Sequence, residues 1–314
     1  MRPAARRAWS CVKLAAPWAL AALVLALVAR QARTVDWPTV WQALQAQSPG
    51  RLAAAATLAL VSYGLYASFD LVGRRLTGHR LSVTRTLGTA AISYAFNLNF
   101  GAWVGGLGLR LRLYMRWGLP APTVAQIIAH SMVTNWLGYL WVAGAVLVWA
   151  PPPLPDAWAL IEAALRAIGM AMIAAAPAYL ALCRFSRRRR LRLRGHTLKL
   201  ASGRLAAWQA AAGGANWLLM GVIVWGLLGG RVDYPAVLGA LLLAAVAGVV
   251  THVPANLGVL EAVFVASLGG RLPTAELLAA VLAYRVAYYL LPLALALPAY
   301  LLSEAAARRS GQAA

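Results

Sequence analysis

The sequence predicts an all-α polytopic membrane protein, with six transmembrane helices and two opposed re-entrant helices in an inverted-repeat-like core. Three observations predict it. Hydrophobic residues make up 62% of 314 residues while charged residues reach only 12%, far from the balance of a soluble domain. The apolar residues fall into runs long enough to span a bilayer, which takes roughly 20 residues in a helix. The 29 Lys+Arg against 8 Asp+Glu, a net charge of +21, cluster between those runs. A nucleic-acid binder would carry such charge on a folded polar surface, so neither that class nor a soluble enzyme fits.

Eight apolar segments follow one another at about 14–30, 52–72, 86–106, 121–150, 157–183, 205–229, 236–268 and 274–303. The first follows Arg2, Arg6, Arg7 and Lys13 and resembles a signal peptide. Its run is long and no small-residue cleavage site follows, which predicts an uncleaved first helix. Between the first two segments, Trp37, Val40, Trp41 and Leu44 recur at helical spacing, predicting an interfacial amphipathic helix over 34–50. Pro151, Pro152, Pro153 and Pro155 force a turn, and Glu162 and Arg166 form an i,i+4 pair after it. Cys11 and Cys183 form no metal or disulfide pattern.

The basic residues set the topology. Four precede residue 14, four lie over 73–85, and Arg110, Arg112 and Arg116 follow. Nine lie over 184–204, and Arg308 and Arg309 come last. These five clusters hold 22 of the 29, and the positive-inside rule places them in the cytoplasm. The other connections are nearly neutral and belong outside. Three apolar segments then separate 73–85 from 184–204, and three more separate 184–204 from the C-terminus. An even number of crossings is required in each half, so one segment in each cannot cross.

The two interrupted segments are the candidates: 86–110, with Asn97, Asn99, Gly101, Gly105, Gly106 and Gly108, and 236–268, with Pro254, Asn256 and Gly258. They are predicted as re-entrant hairpins entering from opposite faces, the first from the cytoplasm. Irregular backbone at that depth must be buried in protein or line a wet cavity, and paired broken helices are an inverted-repeat transporter feature. No residue-level repeat supports this beyond the echo of Asn135-Trp136-Leu137 in Asn216-Trp217-Leu218.

Six motifs then make a family visible: YAFNLN (94–99), WVGGLGLRLRLY (103–114), TNWLGY (134–139), NWLLMG (216–221), HVPANLGVLEAVF (252–264) and LAYRVAYYLLPL (282–293). Together they resemble the lysylphosphatidylglycerol synthase transmembrane-region family nearly end to end. The resemblance implies a flippase-like, lipid-handling membrane module of the bacterial inner membrane. In the multiple-peptide-resistance proteins of that family a soluble aminoacyl-transferase domain follows the module. This chain ends shortly after its last apolar segment, so that activity does not carry over, and no enzyme is expected.

Glu261 sits just past the Pro254–Gly258 break, at membrane depth. A carboxylate there costs about 2.5–3.5 kcal/mol even on an insertion scale, which a helix N-terminus and an arginine offset. Arg285 is its natural partner, with Tyr288 and Tyr289 on the same face. The plain alternative is a clamp that merely joins two helices. Arg110 ends the first break, where the family pattern also has an arginine, and could receive a lipid phosphate at a cavity mouth. Arg112 and Arg116 read mainly as topology signals. The glycines before Arg110 do not form a P-loop, which needs a Lys-Ser/Thr ending.

Asp70 reads first as an interfacial cap or ion-pair partner beside Arg74 and Arg75, and second as a site residue through the family's buried acidic position. Asn97, Asn99 and Asn256 are assigned to backbone groups freed in the breaks. Gln126, His130 and Thr134, with Ser131, Asn135 and Tyr139, give the fourth segment a polar face suited to a hydrated cavity or to interhelical hydrogen bonds. His130 and His252 are candidates for proton linkage. No metal, cofactor, nucleophile–base pair or nucleotide motif is predicted. The expected partners are anionic membrane phospholipids, and beyond them a lipid-synthesis enzyme or a second copy of the chain. A non-transporting partner or scaffold that binds lipid or such an enzyme is the competing function.

Overall fold

A computed structural model describes residues 37–151, 159–187, 189–193 and 196–309. The predicted first helix, its basic flank and the turn over 152–155 lie outside them. Apart from one short hairpin, every regular element described is helical, and six helices are long and apolar enough to cross a membrane. The seven sequence-derived segments that fall on described residues reappear with their ends shifted by a few residues.

The short helix α1 (Trp37–Gln45) buries Val40 and exposes Trp37 and Trp41, as its amphipathic spacing predicts. Ser48 caps the next helix, its Oγ accepting from the Arg51 amide, and Pro49 occupies the first turn, where no amide partner is needed. That helix, α2 (Pro49–Ala67), continues almost straight into α3 (Phe69–Thr77) and stops at Gly78, which takes the left-handed conformation. Ser82 caps α4 (Val83–Phe100) in the same way. At Gly101 (φ 88°) the chain reverses into a π-helical segment, Ala102–Leu109, followed by α5 (Arg110–Arg116). The return arm packs so closely that a Cβ at Gly105 would overlap the backbone of Phe96 and Asn97. Segment 86–110 is therefore a tight hairpin.

Helices α6 (Ala121–Trp149), α7 (Ala159–Phe185) and α8 (Gly203–Leu227) run back and forth. Glycines set two of their crossings: Gly138 lies on Gly213 and Gly214, and Gly144 on Gly169. Small residues allow such close approach where lipid supplies no hydrophobic drive. The basic loop between α7 and α8 contains an antiparallel hairpin, β1 (Arg190–Leu193) with β2 (His196–Lys199), in the register Leu191 to Leu198. The sequence reading has only a loop there. Leu191 and Leu193 alternate with Arg190 and Arg192 at the two-residue spacing of a strand, a signal the density of arginines in the loop masks.

Segment 236–268 folds as α9 (Tyr234–Thr251) and α10 (Val259–Leu268), packed against each other across a break. His252, Ala255, Asn256 and Gly258 all have positive φ within seven residues, a conformation costly for all but glycine and, less so, asparagine. Because α9 belongs to the six long apolar helices, their membership differs from the six predicted crossings, whose first lies outside the described residues. Last come α11 (Thr274–Arg285), a π-helical turn over Val286–Leu290, and α12 (Leu291–Arg309).

Charge separates by end. At one end Arg112 and Arg116 share Glu304, and Lys199 Nζ donates to Leu76 O at 3.1 Å. At the other, Arg231 pairs with Glu276, Arg271 lies 3.5 Å from Asp233, and Gln47 Nε2 donates to Leu227 O. The first hairpin starts and finishes at the basic end, and the second at the near-neutral end. Their tips meet, α4 packing against residues 254–256.

Candidate functional site

Where the hairpins meet, Arg285 is the central group. It closes α11 just before a π-helical turn, an irregularity frequent at functional sites. Its Nε donates to Glu261 Oε1 at 2.5 Å and its Nη2 to Glu261 Oε2 at 2.9 Å, a two-pronged pairing. Nη1 donates to Ala255 O at 2.7 Å, and Nη2 also reaches Asn256 O at 2.6 Å. One guanidinium thus satisfies the carboxylate and the two carbonyls that the break removes from helical bonding. The fork of five N–H groups suits this task as no lysine could. Glu261, in the first turn of α10, also lies where the helix dipole favours negative charge.

A second buried pair lies nearer the basic end. Arg110 Nη2 stands 3.2 Å from Asp70 Oδ1, with side-chain exposures of 4% and 0%. Tyr114 OH donates to Asp70 Oδ2 at 2.6 Å. Arg110 Nε has no hydrogen-bond partner among the described residues, and its Nη2 meets Asp70 by distance but not at a hydrogen-bond angle. This corrects two expectations. Arg110 is not at a cavity mouth, because the helix leaving the π segment turns it inward under Tyr66, whose ring centroid is 5.9 Å from its Cζ. Asp70 does not cap the interface with Arg74 and Arg75; Arg74 Nε instead bonds Leu81 O at 2.7 Å.

Between the two pairs runs a column of tyrosines of which sequence reasoning named only Tyr288 and Tyr289, beside Arg285. Tyr66 stacks on Tyr94 with centroids 3.6 Å apart, and Tyr94 lies 4.8 Å from Tyr63. Tyr94 OH is 3.3 Å from Tyr288 OH, which is 2.7 Å from Ser62 Oγ, and Ser62 donates to Asn216 Oδ1 at 2.7 Å. Tyr284 stacks on Tyr288, and Tyr289 carries the Arg285 guanidinium 5.4 Å above its ring. Tyr284 and Tyr288 are 1% and 0% exposed, so the junction is closed. Tyr63 and Tyr66, one helical turn apart and each needing a hydroxyl partner when buried, were the available signal.

The other predicted residues divide. Asn99 Nδ2 donates to Ala95 O and to Tyr289 O at 3.1 Å, tying the first hairpin to the chain beside Arg285. Asn97 packs beneath Gly105 and Gly106, and Asn256 beneath Gly248. His252 is exposed, its Nδ1 3.0 Å from Val250 O, and it takes no part in the junction. His130 is buried on α6, where Gln209 Nε2 donates to its carbonyl and to Thr134 Oγ1. Tyr139 OH donates to Leu242 O, and Asn135 O accepts from Trp217 Nε1. Thr134 and Tyr139 thus join helices by hydrogen bonds, and the backbone carbonyls of His130 and Asn135 accept others, while Gln126 Oε1, both His130 ring nitrogens and Ser131 Oγ are buried without a hydrogen-bond partner among the described residues.

A family model described as the lysylphosphatidylglycerol synthase TM region matches residues 14–296. The chain is 41% identical over 302 residues to the inner membrane protein YbhN of Escherichia coli (strain K12), covering 96% of this chain and 95% of that protein. It is 31% identical over 305 residues to a protein of Synechocystis sp. (strain ATCC 27184 / PCC 6803 / Kazusa) named only as uncharacterized, covering 91% of each.

Proposed function

Since the chain belongs to the lysylphosphatidylglycerol synthase transmembrane-region family, we propose that it is a multi-pass inner-membrane protein that lets phospholipid headgroups cross the bilayer at the junction of its two hairpins. The observation that carries this reading is the meeting of two hairpins from opposite ends beside the part-buried Arg285–Glu261 pair. In this reading both hairpins stop within the bilayer, the first entering from the cytoplasm, and both termini are cytoplasmic. In the arrangement described above the junction is closed.

The mechanism is an exchange of anions. In the closed state Glu261 occupies Arg285 and Asp70 occupies Arg110. A lipid phosphate entering the junction takes the place of Glu261 on Arg285, and the carboxylate turns to the headgroup's cationic or hydroxyl part. No buried charge is left alone at any stage, which matters because an uncompensated buried ion costs several kcal/mol. Arg110, with its spare N–H groups, forms the second station. The tyrosine hydroxyls between them supply neutral hydrogen bonds along the path.

The test is scrambling of headgroup-labelled lipids in proteoliposomes, comparing wild type with Arg285→Lys and Glu261→Gln. Losing a two-pronged charged contact is worth on the order of 1.5–3 kcal/mol, so scrambling should fall about tenfold or more in variants that elute as folded protein. Unchanged scrambling would remove both residues from the mechanism. The closed junction favours a second reading, a non-transporting partner that binds lipid or a lipid-synthesis enzyme. Absence of scrambling by wild type over a wide lipid panel would select it.

Topology is checked separately. With Cys11 and Cys183 replaced, single cysteines at the exposed positions Thr84 and Gly270 should react with impermeant reagent from the cytoplasmic and periplasmic sides respectively. Reaction of both from one side would break the opposed-hairpin reading.

A further inference from the structure

We propose that the recess formed by Arg85, Arg116 and Trp117 at the basic end is a phosphate-binding site at the membrane surface, separate from the hairpin junction. The recess measures about 440 Å³ and is completed by Gly118. Two guanidiniums lie on one indole: Arg85 Cζ is 4.4 Å from the Trp117 ring centroid and Arg116 Cζ is 5.2 Å from it. Stacking on a ring leaves the N–H edge of a guanidinium free to take an oxyanion in its plane.

Charge accounting leaves this place positive. Each of the six carboxylates among the described residues is paired with an arginine: Asp70, Glu162, Asp233, Glu261, Glu276 and Glu304. None is paired with Arg85. Glu304 is shared by Arg112 and Arg116, so Arg85, Arg112 and Arg116 together face one carboxylate and leave a local charge of +2. Arg116 Nη1 lies 3.1 Å from Glu304, its Nη2 donates to Ser303 Oγ at 3.0 Å and its Nε is buried without a hydrogen-bond partner, so Arg85 supplies the open edge of the pair. Gly118 (φ 81°) leaves open space where a side chain would stand.

An orientation signal needs positive charge alone, and lysine would serve it equally well. Two arginines held on one tryptophan are more than that signal requires, and they are the geometry of planar, two-pronged phosphate recognition. The phosphate can belong to an anionic lipid of the facing leaflet or be free in solution. The site acts on a headgroup at the surface and stands whether or not lipid is moved.

The experiment is calorimetric titration of the full chain in neutral detergent with dihexanoyl phosphatidylglycerol and, separately, inorganic phosphate. Saturable binding of either is expected, and Arg85→Lys/Arg116→Lys and Trp117→Leu should each weaken it about tenfold or more. Binding of the lipid that excess phosphate does not displace identifies a lipid headgroup as the source; displacement identifies the phosphate group alone. Equal binding by the arginine-to-lysine variant, or equal binding of a phosphate-free diacylglycerol, would overturn the site. The titration reads binding and not scrambling, so failure of the translocation reading and failure of this one give different results.

Discussion

Replacing Arg285 by alanine should destabilise the protein by about 3–5 kcal/mol, the range for stripping one partner from a buried ion pair. Three groups lose their donor at once: the Glu261 carboxylate, Ala255 O and Asn256 O. The carbonyls cannot turn to helical partners, because the residues that carry them have positive φ. Lysine restores the charge but offers one ammonium where a planar fork held three acceptors, so Arg285→Lys should recover only part of the loss. Glu261→Gln should cost less, about 1–3 kcal/mol, since the two carbonyl bonds survive. Thermal unfolding in a fixed detergent measures all three. An Arg285→Ala protein as stable as wild type would show that the pair does not hold the break together.

A comparable loss should follow from Gly138→Leu, for a reason unrelated to charge. A Cβ at Gly138 would enter the backbone of Gly213 and Gly214, so the α6–α8 crossing must open along its length. Overpacking typically costs 1–3 kcal/mol and occasionally more; a rigid backbone-to-backbone contact should bring this one to about 3 kcal/mol. Gly64 is the control, because nothing lies within 4 Å of a Cβ there. Gly64→Leu should be neutral or slightly stabilising, as removal of a helical glycine normally is. If both variants melt alike, the glycine contact is not what sets the crossing.

Much of the architecture was legible because bilayer thickness imposes length on helices and charge imposes direction. Parity between basic clusters isolated 86–110 and 236–268, and these are the segments that fold back on themselves at Gly101 and at His252–Gly258. Glu261 pointed to Arg285 because an isolated carboxylate in hydrocarbon demands a cation, and few were left within the apolar segments. The same demand applied to Asp70, but Arg74 and Arg75 beside it in sequence hid the true partner, Arg110. Which way Arg110 points depends on the π-helical register before it, and no spacing rule conveys that. The tyrosine column was hidden for a similar reason. Tyr63 and Tyr66 on α2 and Tyr94 on α4 acquire a common line only through tertiary packing. A lone tyrosine in an apolar run reads equally well as a membrane-surface anchor.

The grip of Arg285 on the second hairpin also bears on the order of assembly during synthesis. Its contact with Asn256 joins residues 29 positions apart, and the arginine is made last. At roughly 5–20 residues per second, the break spends seconds in or near the membrane with two bare carbonyls and an unpaired carboxylate. In the re-entrant reading proposed above, the hairpin therefore cannot settle at depth when it leaves the insertion machinery. It must wait at a polar surface, or be sheltered, until α11 arrives and docks. Asp70 faces the same delay before Arg110. The second hairpin and the Asp70 helix α3 are in this sense locked from behind, each by an arginine that completes a structure begun without it.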